Sequence, residues 1–216
     1  MPKSSLVAAL SALALTGCSH ADDGGPAAIA ARAPLQWRSM ATPHDRDRLR
    51  DWRKAWKTAL PRARAFAPER TAAEGALFNA DLALPGATPP IGEYRCRTFK
   101  LGAAGPAMLD FIAYPWFRCR VTDEGEALGF YKVSGSQRPV GLILRDSPTR
   151  AVFLGTLVLG DEQAALQYGA DPNRDMAGFI KRVGDRRWRL ALPYPHYESL
   201  LDVIELVPAD SARETP

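Results

Sequence analysis

The sequence predicts a mainly β protein, an antiparallel β-barrel of about eight strands with one α-helix packed outside it. Two observations indicate this fold. Eight short runs with β-type patterns follow Gly92, mostly separated by turn residues, and an amphipathic helical pattern precedes them. Short strands at such spacing are typical of sandwiches and barrels. A barrel is favoured because closure leaves no sheet edge exposed.

The chain begins with the features of a secretory signal peptide. Lys3 supplies a positive charge, and the apolar run at 4–15 that follows is too short to span a bilayer. Gly17 then precedes Cys18, and a small residue before a cysteine at this place is typical of a bacterial lipobox. We therefore expect residues 1–17 to be removed and Cys18 to be lipidated. The alternative is an ordinary signal peptide with an incidental cysteine.

Lipidation of Cys18 would place the protein in the cell envelope. Several acyl chains anchor a protein stably, because each buried CH₂ contributes about 0.8 kcal/mol. Ser19 is not the Asp that is typical of retention in the inner membrane of proteobacteria. We therefore expect the periplasmic face of the outer membrane. Residues 18–41 are mostly small or polar and predict a flexible tether behind the lipid.

A helix is predicted over 42–66. Thr42 is a good N-cap, and Pro43 follows it at the first helical position. Pro61 should kink or end the helix near its last turn. The helix carries an apolar stripe, which includes Leu49, Trp52 and Trp56, and a basic face beside it. That face is either solvated or lies on anionic lipid.

The β-type runs of the barrel fill the rest of the domain. They lie at 92–101, 113–122, 127–134, 138–145, 150–159, 177–183, 186–193 and 200–207. The run at 150–159 is apolar on both faces, so we expect the helix stripe to cover its outer side. The run at 186–193 alternates apolar residues with Arg187 and Arg189, which predicts a half-buried strand. We expect the domain to span 42–208, with the barrel at 92–208 and a disordered tail at 209–216.

Two cysteines remain if Cys18 carries lipid. In an oxidising compartment Cys96 and Cys119 predict one disulfide, with two free buried thiols as the alternative. Each lies between two arginines, and side chains alternate across a strand, so the four arginines share the face opposite the cysteines. These are Arg95, Arg97, Arg118 and Arg120.

Four like charges on one face need either acidic partners or an anionic ligand. Acidic residues nearby in sequence are Glu93, Asp123, Glu124 and Glu126. Internal ion pairing is one interpretation of the arginines. An anion-binding site for a phosphate or a lipid headgroup is the other.

Familiar catalytic and cofactor patterns are absent from the sequence. Its three histidines have no metal-ligand spacing, and it carries neither a Gly-rich phosphate loop nor a G-x-S-x-G elbow. The net charge of +4 is too balanced to indicate nucleic acid as a partner. We assign no catalytic residue, no metal and no cofactor from the sequence.

Two segments remain as candidates for function. The long polar segment 161–182 carries Asp171, Arg174 and Asp175, and long loops at a barrel rim commonly carry binding residues. The proline-stiffened turn at 193–198 carries His196 and Glu198, which are suited to act as an acid/base pair. An ordinary loop and a packed turn are the alternatives.

Several blocks of the sequence resemble a bacterial family. They are GEYRCRTFKLG, YPWFRCRV, SGSQRPVGL, FLGTLVLGDE, YGADPNRDMAG and RWRLALPYPHYESLLDVIELVP. In this order they resemble domain of unknown function 4893 over roughly 46–208. The resemblance implies an envelope protein of alphaproteobacterial type and brings no activity or site residues. The opening Gly-x-Tyr-Arg-Cys also looks like lipocalin-type barrels and the small periplasmic protease inhibitors built on them, which is a likeness of fold alone.

These observations favour a non-enzymatic binding module on a lipid tether. The partners expected for it are the membrane, through the anchor, and a small apolar or amphiphilic ligand or an envelope protein. One alternative is an envelope hydrolase that uses His196 and Glu198 with acids of the 171–175 loop. Another is a structural protein that contacts anionic lipid.

Overall fold

Eight antiparallel strands form a closed barrel in the computed structural model, which describes residues 35–210. Each strand pairs with its neighbour in sequence, and the last pairs with the first. The strands are β1 (Gly92–Ala103), β2 (Phe111–Asp123), β3 (Leu128–Lys132), β4 (Gln137–Ser147), β5 (Arg150–Leu159), β6 (Asp175–Gly184), β7 (Arg187–Pro193) and β8 (Ser199–Pro208). The predicted barrel and its eight strands are confirmed. The predicted signal peptide, the predicted lipidation site Cys18, most of the expected tether and residues 211–216 lie outside the described residues.

Helices precede the barrel. They are α1 (Trp37–Met40), α2 (Pro43–Arg50), α3 (Trp52–Phe66), α4 (Pro68–Ala73) and a short 3-10 helix (Gly75–Phe78). The helix predicted over 42–66 is therefore two helices, divided at Asp51. Thr42 caps α2 as predicted, because its hydroxyl accepts a hydrogen bond from the Asp45 backbone N–H at 3.1 Å. The second helix, α3, continues through Pro61 to its end at Phe66.

Packing against the barrel begins before Thr42. Trp37 of α1 is buried, and its indole N–H donates to Asp146 of β4 at 2.7 Å. The stretch expected to be tether thus contributes a tryptophan to the domain. The described residues, 35–210, belong to one compact unit. In the described part of the chain, no helix is long and apolar enough to cross a membrane.

Two apolar clusters lie between the helices and the outer face of the barrel. Trp56 of α3 belongs to the cluster on β1 and β8, which includes Phe99 and Val203. Leu49 of α2 belongs to the other, with Val152 of β5. The predicted helical cover of β5 is thus supplied by Leu49 with Trp37 of α1 and the partly buried Trp52 of α3, whereas Trp56 covers different strands. Truncating such a buried tryptophan to Ala costs about 3–5 kcal/mol.

One half of the barrel interior is filled by its own side chains. Tyr94 and Trp188 meet edge-to-face there, and Phe130 packs likewise against Phe153. The predicted disulfide between Cys96 and Cys119 is present in this interior, with the two Cα atoms 5.9 Å apart. On the chain-entropy model a crosslink over such a loop stabilises the fold by about 3 kcal/mol.

The strand predicted to be half-buried, β7, is buried on both faces. Arg189 is 1 % exposed, because the segment at 77–82 covers it. Its guanidinium donates to four backbone carbonyls, those of Leu77, Asn79, Ala80 and Leu82. The five donors of an arginine allow it to satisfy several carbonyls at once. A buried cation thus holds the segment at 77–82, which includes the end of the 3-10 helix, against the barrel.

Candidate functional site

The open end of the barrel contains a cavity of about 330 Å³, here called the mouth pocket. The loops β1–β2, β3–β4, β5–β6 and β7–β8 share this end, because successive strands run in opposite directions. The pocket is lined by Thr98, Lys100, Tyr114, Phe117, Lys132, Gly135, Ser136, Gln137, Pro139, Leu157, Met176, Glu198, Asp202 and Ile204.

The lining changes from apolar to charged towards the mouth. Alternation along a strand points every second side chain inward, so β1 contributes Cys96, then Thr98, then Lys100 to the interior. On the facing strand β8, Ile204 is opposite Thr98 and Asp202 is opposite Lys100. The apolar wall therefore lies below a ring of charged groups, an arrangement that suits an amphiphile.

Lys100 lies between two carboxylates of this ring. Its ammonium nitrogen is 3.1 Å from Asp202 Oδ2 and 3.2 Å from Glu198 Oε2. The Ser199 hydroxyl donates to the other oxygen of Asp202 at 2.5 Å. Burial by itself would lower the pKa of Lys100, but the two carboxylates outweigh it and raise that pKa. Lys100 is thus a charged group whose partners are all supplied by the protein.

Lys132 of β3 has a different environment. It is 4 % exposed, and its ammonium donates at 2.8 Å to the backbone carbonyls of Ser134 and Gln137. The nitrogen lies 3.7 Å from the centre of the Phe117 ring. Among residues 35–210, no ion pair joins it to a carboxylate. Burial, with the nearby charges of Arg138 and Lys100, lowers its pKa to about 8.

The turn between β7 and β8 aims Glu198 into the pocket. Both Tyr194 and Glu198 have positive φ, 49° and 69°, which is uncommon for residues other than glycine. The Tyr194 backbone N–H closes the turn by donating to the Leu200 carbonyl at 2.9 Å. Glu198 Oε1 then accepts from the Gln137 side chain at 3.2 Å. The strained backbone thus directs this carboxylate inward, towards Lys100.

His196, the predicted acid/base partner of Glu198, lies elsewhere. It is exposed, meets the ring of Tyr197 edge-on, and lines a separate groove of about 290 Å³ with His44 and Pro172. The two residues share one end of the barrel, as a common site requires, but face different cavities. No hydrogen bond joins them within the described part of the chain.

The predicted loop residues at 171–175 make contacts that hold the loop itself. Asp171 accepts from the Asn173 backbone N–H at 2.9 Å, and the buried Asp175 accepts from that of Gly169 at 2.9 Å. Arg174 forms a two-point contact with Glu162, at 2.8 and 2.9 Å. Within residues 35–210, no group of three or more His, Cys, Asp or Glu side chains is arranged to hold a metal ion.

The arginines beside the disulfide lie on the outer face, as the alternation predicts. Arg97 lies between Glu74 at 2.6 Å and Glu205 at 2.7 Å. Neither carboxylate is among the acidic residues near the arginines in sequence. The charge of Arg97 is therefore neutralised within the protein, by Glu74 and by Glu205 of β8.

The other three arginines meet aromatic rings or each other. Arg95 of β1 is directly opposite Arg118 of β2, and its guanidinium lies 4.9 Å from the centre of the Trp116 ring. Arg120 lies 5.3 Å from that of Tyr131. No ion pair joins Arg95, Arg118 or Arg120 to a carboxylate among residues 35–210. Trp116 is 40 % exposed, so a basic, partly aromatic patch faces solvent here.

The sequence interpretation missed the charged ring of the mouth pocket. The sequence did contain a signal for it. Lys100 is four positions from Cys96, and Lys132 is two positions from Phe130, so each lysine points to the same side of its strand as that apolar residue. A lysine at an inward position of a barrel strand needs a partner or a ligand. In β8, Asp202 and Ile204 are two positions apart, so their side chains also point to the same side.

Comparison with known proteins identifies the family of the chain. No curated protein and no solved structure matches it. A family model described as Domain of unknown function (DUF4893) matches residues 37–206, close to the range over which the sequence blocks resemble that family. The chain belongs to the DUF4893 family.

Proposed function

We propose that this protein is a non-enzymatic binding module that holds a small amphiphilic ligand in the mouth pocket. The observation that carries the proposal is the pocket itself, an open cavity of about 330 Å³ with an apolar wall below a charged ring. Small-molecule sites are typically concave, mostly apolar and furnished with a few polar groups that orient the ligand.

The filling of the barrel supports a small ligand over a large one. Aromatic side chains such as Phe130, Phe153 and Trp188 occupy the closed half, which leaves the space for a ligand at the mouth. The cavity volume is at the lower end of the range of about 300–1,000 Å³ for ligand sites. We expect the ligand to insert its apolar part and to keep a polar end at the ring.

The expected location fits this activity. We propose that Cys18 carries lipid and holds the domain at the envelope, on the periplasmic face of the outer membrane. The disulfide between Cys96 and Cys119 is consistent with an oxidising compartment. A tethered binding protein at a membrane surface meets amphiphiles where they are most concentrated.

A second candidate function, contact with anionic lipid, is favoured by one observation. Arg95 and Arg118 lie opposite each other on the outer face, beside the exposed Trp116. The test is flotation with anionic liposomes at low and high salt. Binding that salt abolishes supports this function, because exposed charges are screened; binding that salt leaves unchanged contradicts it.

The experiment that tests ligand binding is native mass spectrometry of the chain from Ser19 onward, exported to a periplasm and purified without detergent. A Thr98→Trp variant fills the pocket, and Ile91→Trp, at a site 61 % exposed before β1, is the matched control. We expect extra mass, lost on denaturation, on the wild type and on Ile91→Trp but not on Thr98→Trp. A clean apo mass for the wild type contradicts the proposal and directs the search to crosslinked protein partners.

A further inference from the structure

We propose that the ligand of the mouth pocket carries a carboxylate, which pairs with the ammonium of Lys132 while an apolar tail lies along Phe117 and Ile204. This inference rests on the proposed function and names the ligand class. It follows from the different ways in which the protein satisfies its two pocket lysines.

The hydrogen bonds of Lys132 leave one N–H without an oxygen acceptor, although the nitrogen lies 3.7 Å from the centre of the Phe117 ring. An ammonium has three N–H donors, and Lys132 uses two of them on the backbone carbonyls of Ser134 and Gln137. Lys100, in contrast, has both Asp202 and Glu198 within 3.2 Å. Carbonyls orient an ammonium but do not neutralise it, so Lys132 retains a full charge without a counterion among the described residues.

The surrounding charges make an anion the matching ligand group. The charges that most affect the pKa of Lys132 are those of Arg138 and Lys100, both cations. The two pocket carboxylates are engaged by Lys100. The two carbonyls and the Phe117 ring compensate this buried cation only in part, and a ligand anion at Lys132 would reduce the remaining cost. A cationic ligand would instead be repelled by these cations, because both pocket carboxylates already pair with Lys100.

A singly charged carboxylate fits better than a phosphate. Lys132 offers one open donor, whereas phosphate oxygens are usually held by several donors. Glu198 and Asp202 lie in the same pocket and would repel a second negative charge. A carboxylate thus obtains the ion pair with the least repulsion.

The apolar wall starts beside the ammonium. Lys132 Nζ lies 3.7 Å from the centre of the Phe117 ring, so a carboxylate bound there has an aromatic surface next to its first carbons. Leu157, Met176 and Ile204 continue the wall. Since the cavity is at the small end for ligand sites, we expect a tail of about eight carbons.

The experiment compares three probes that share one tail. Octanoate, octanol and octylamine are titrated into the chain from Ser19 onward by calorimetry at pH 7. We expect octanoate to bind at least about tenfold more tightly than octanol, since a hydrogen bond to a charged group contributes about 1.5–3 kcal/mol. Octylamine should bind more weakly than octanol.

Variants of Lys132 test whether this residue is responsible. Lys132→Gln should abolish the roughly tenfold preference for octanoate over octanol, and Lys132→Arg should retain most of that preference. Lys57→Gln, on the exposed side of α3, is the control and should leave the preference unchanged. If Lys132→Gln fails to fold, the comparison of the three probes on the wild type still decides.

The outcomes separate this inference from the proposed function. Equal affinity for octanoate and octanol, or an undiminished preference in Lys132→Gln, overturns the carboxylate assignment and leaves a ligand pocket in place. Tightest binding of octylamine also overturns it and points to Glu198 and Asp202 as the ligand's partners. If none of the three probes binds, both the inference and the small-ligand function are contradicted.

Discussion

Lys100 and Asp202 occupy directly opposite positions of β1 and β8, and their charged groups meet 3.1 Å apart inside the barrel. This pair lies where the last strand closes on the first. Because both groups are buried, each depends on the other for compensation of its charge. The pair therefore links closure of the barrel to the shape of the pocket.

Removing one member of this pair should destabilise the fold strongly. We expect Asp202→Asn to lower the free energy of unfolding by about 3 kcal/mol, because it leaves Lys100 buried with Glu198 alone. Denaturant unfolding measures the change. The control is Asp47→Asn, which breaks an exposed pair with Arg50 and should cost less than about 1 kcal/mol. Equal losses in both variants would contradict the role given to burial.

A second prediction concerns the buried Arg189. A lysine cannot reach four carbonyls at once, so Arg189→Lys should leave several of them without a donor and cost about 3 kcal/mol. Hydrogen exchange should rise selectively at 77–82. Arg64→Lys, at an exposed position of α3, provides the comparison and should leave exchange unchanged. Equal hydrogen-exchange rates at 77–82 in Arg189→Lys and in the wild type would contradict the role given to Arg189.

The strands were predictable from the sequence because they depend on local alternation. The disulfide was predictable because Cys96 and Cys119 are the two cysteines left for an oxidising compartment once Cys18 carries lipid. The partners of Arg97 were not predictable, because Glu74 comes from the helical cover and Glu205 from β8. The pocket depends in the same way on closure, which brings Lys100 and Lys132 to one cavity from separate strands.

The outer arginines give a third prediction. Arg95 and Arg118 face each other directly across β1 and β2, and like charges so placed are destabilising. Arg118→Glu should therefore raise the free energy of unfolding by about 0.5 kcal/mol at low salt, and less at high salt. Arg145→Glu, opposite Ala151, is the matched change without an arginine partner. A gain in Arg145→Glu as large as in Arg118→Glu would show that net charge, not this pair, is responsible.

A fourth prediction concerns the pH dependence of stability in the absence of ligand. The folded state lowers the pKa of Lys132 from 10.5 to about 8, so the unfolded chain binds more protons between these values. The cost of burying the ammonium is then present below about pH 8 and is relieved as pH rises towards 10.5. Relative to Lys132→Met, the wild type should gain stability over this range. A constant difference between the two proteins would contradict the lowered pKa.

The pH dependence of octanoate binding tests the protonation of Lys132 through its effect on ligand affinity. A carboxylate pairs with the protonated amine, so affinity should be level between about pH 6 and 7, where octanoate is ionised, and should fall as pH rises through about 8, where free Lys132 loses its proton. Burial and the nearby carboxylates Glu198 and Asp202 raise the pKa of Tyr114, and the pKa of Lys100 is raised as well. Neither group therefore accounts for a change in affinity near pH 8.

An arginine at position 132 should remove this pH dependence, because arginine stays protonated. Lys132→Arg should therefore bind octanoate with an affinity that is level up to about pH 9. Calorimetry across this range on both proteins makes the measurement, and a parallel decline in the arginine variant would place the titrating group elsewhere.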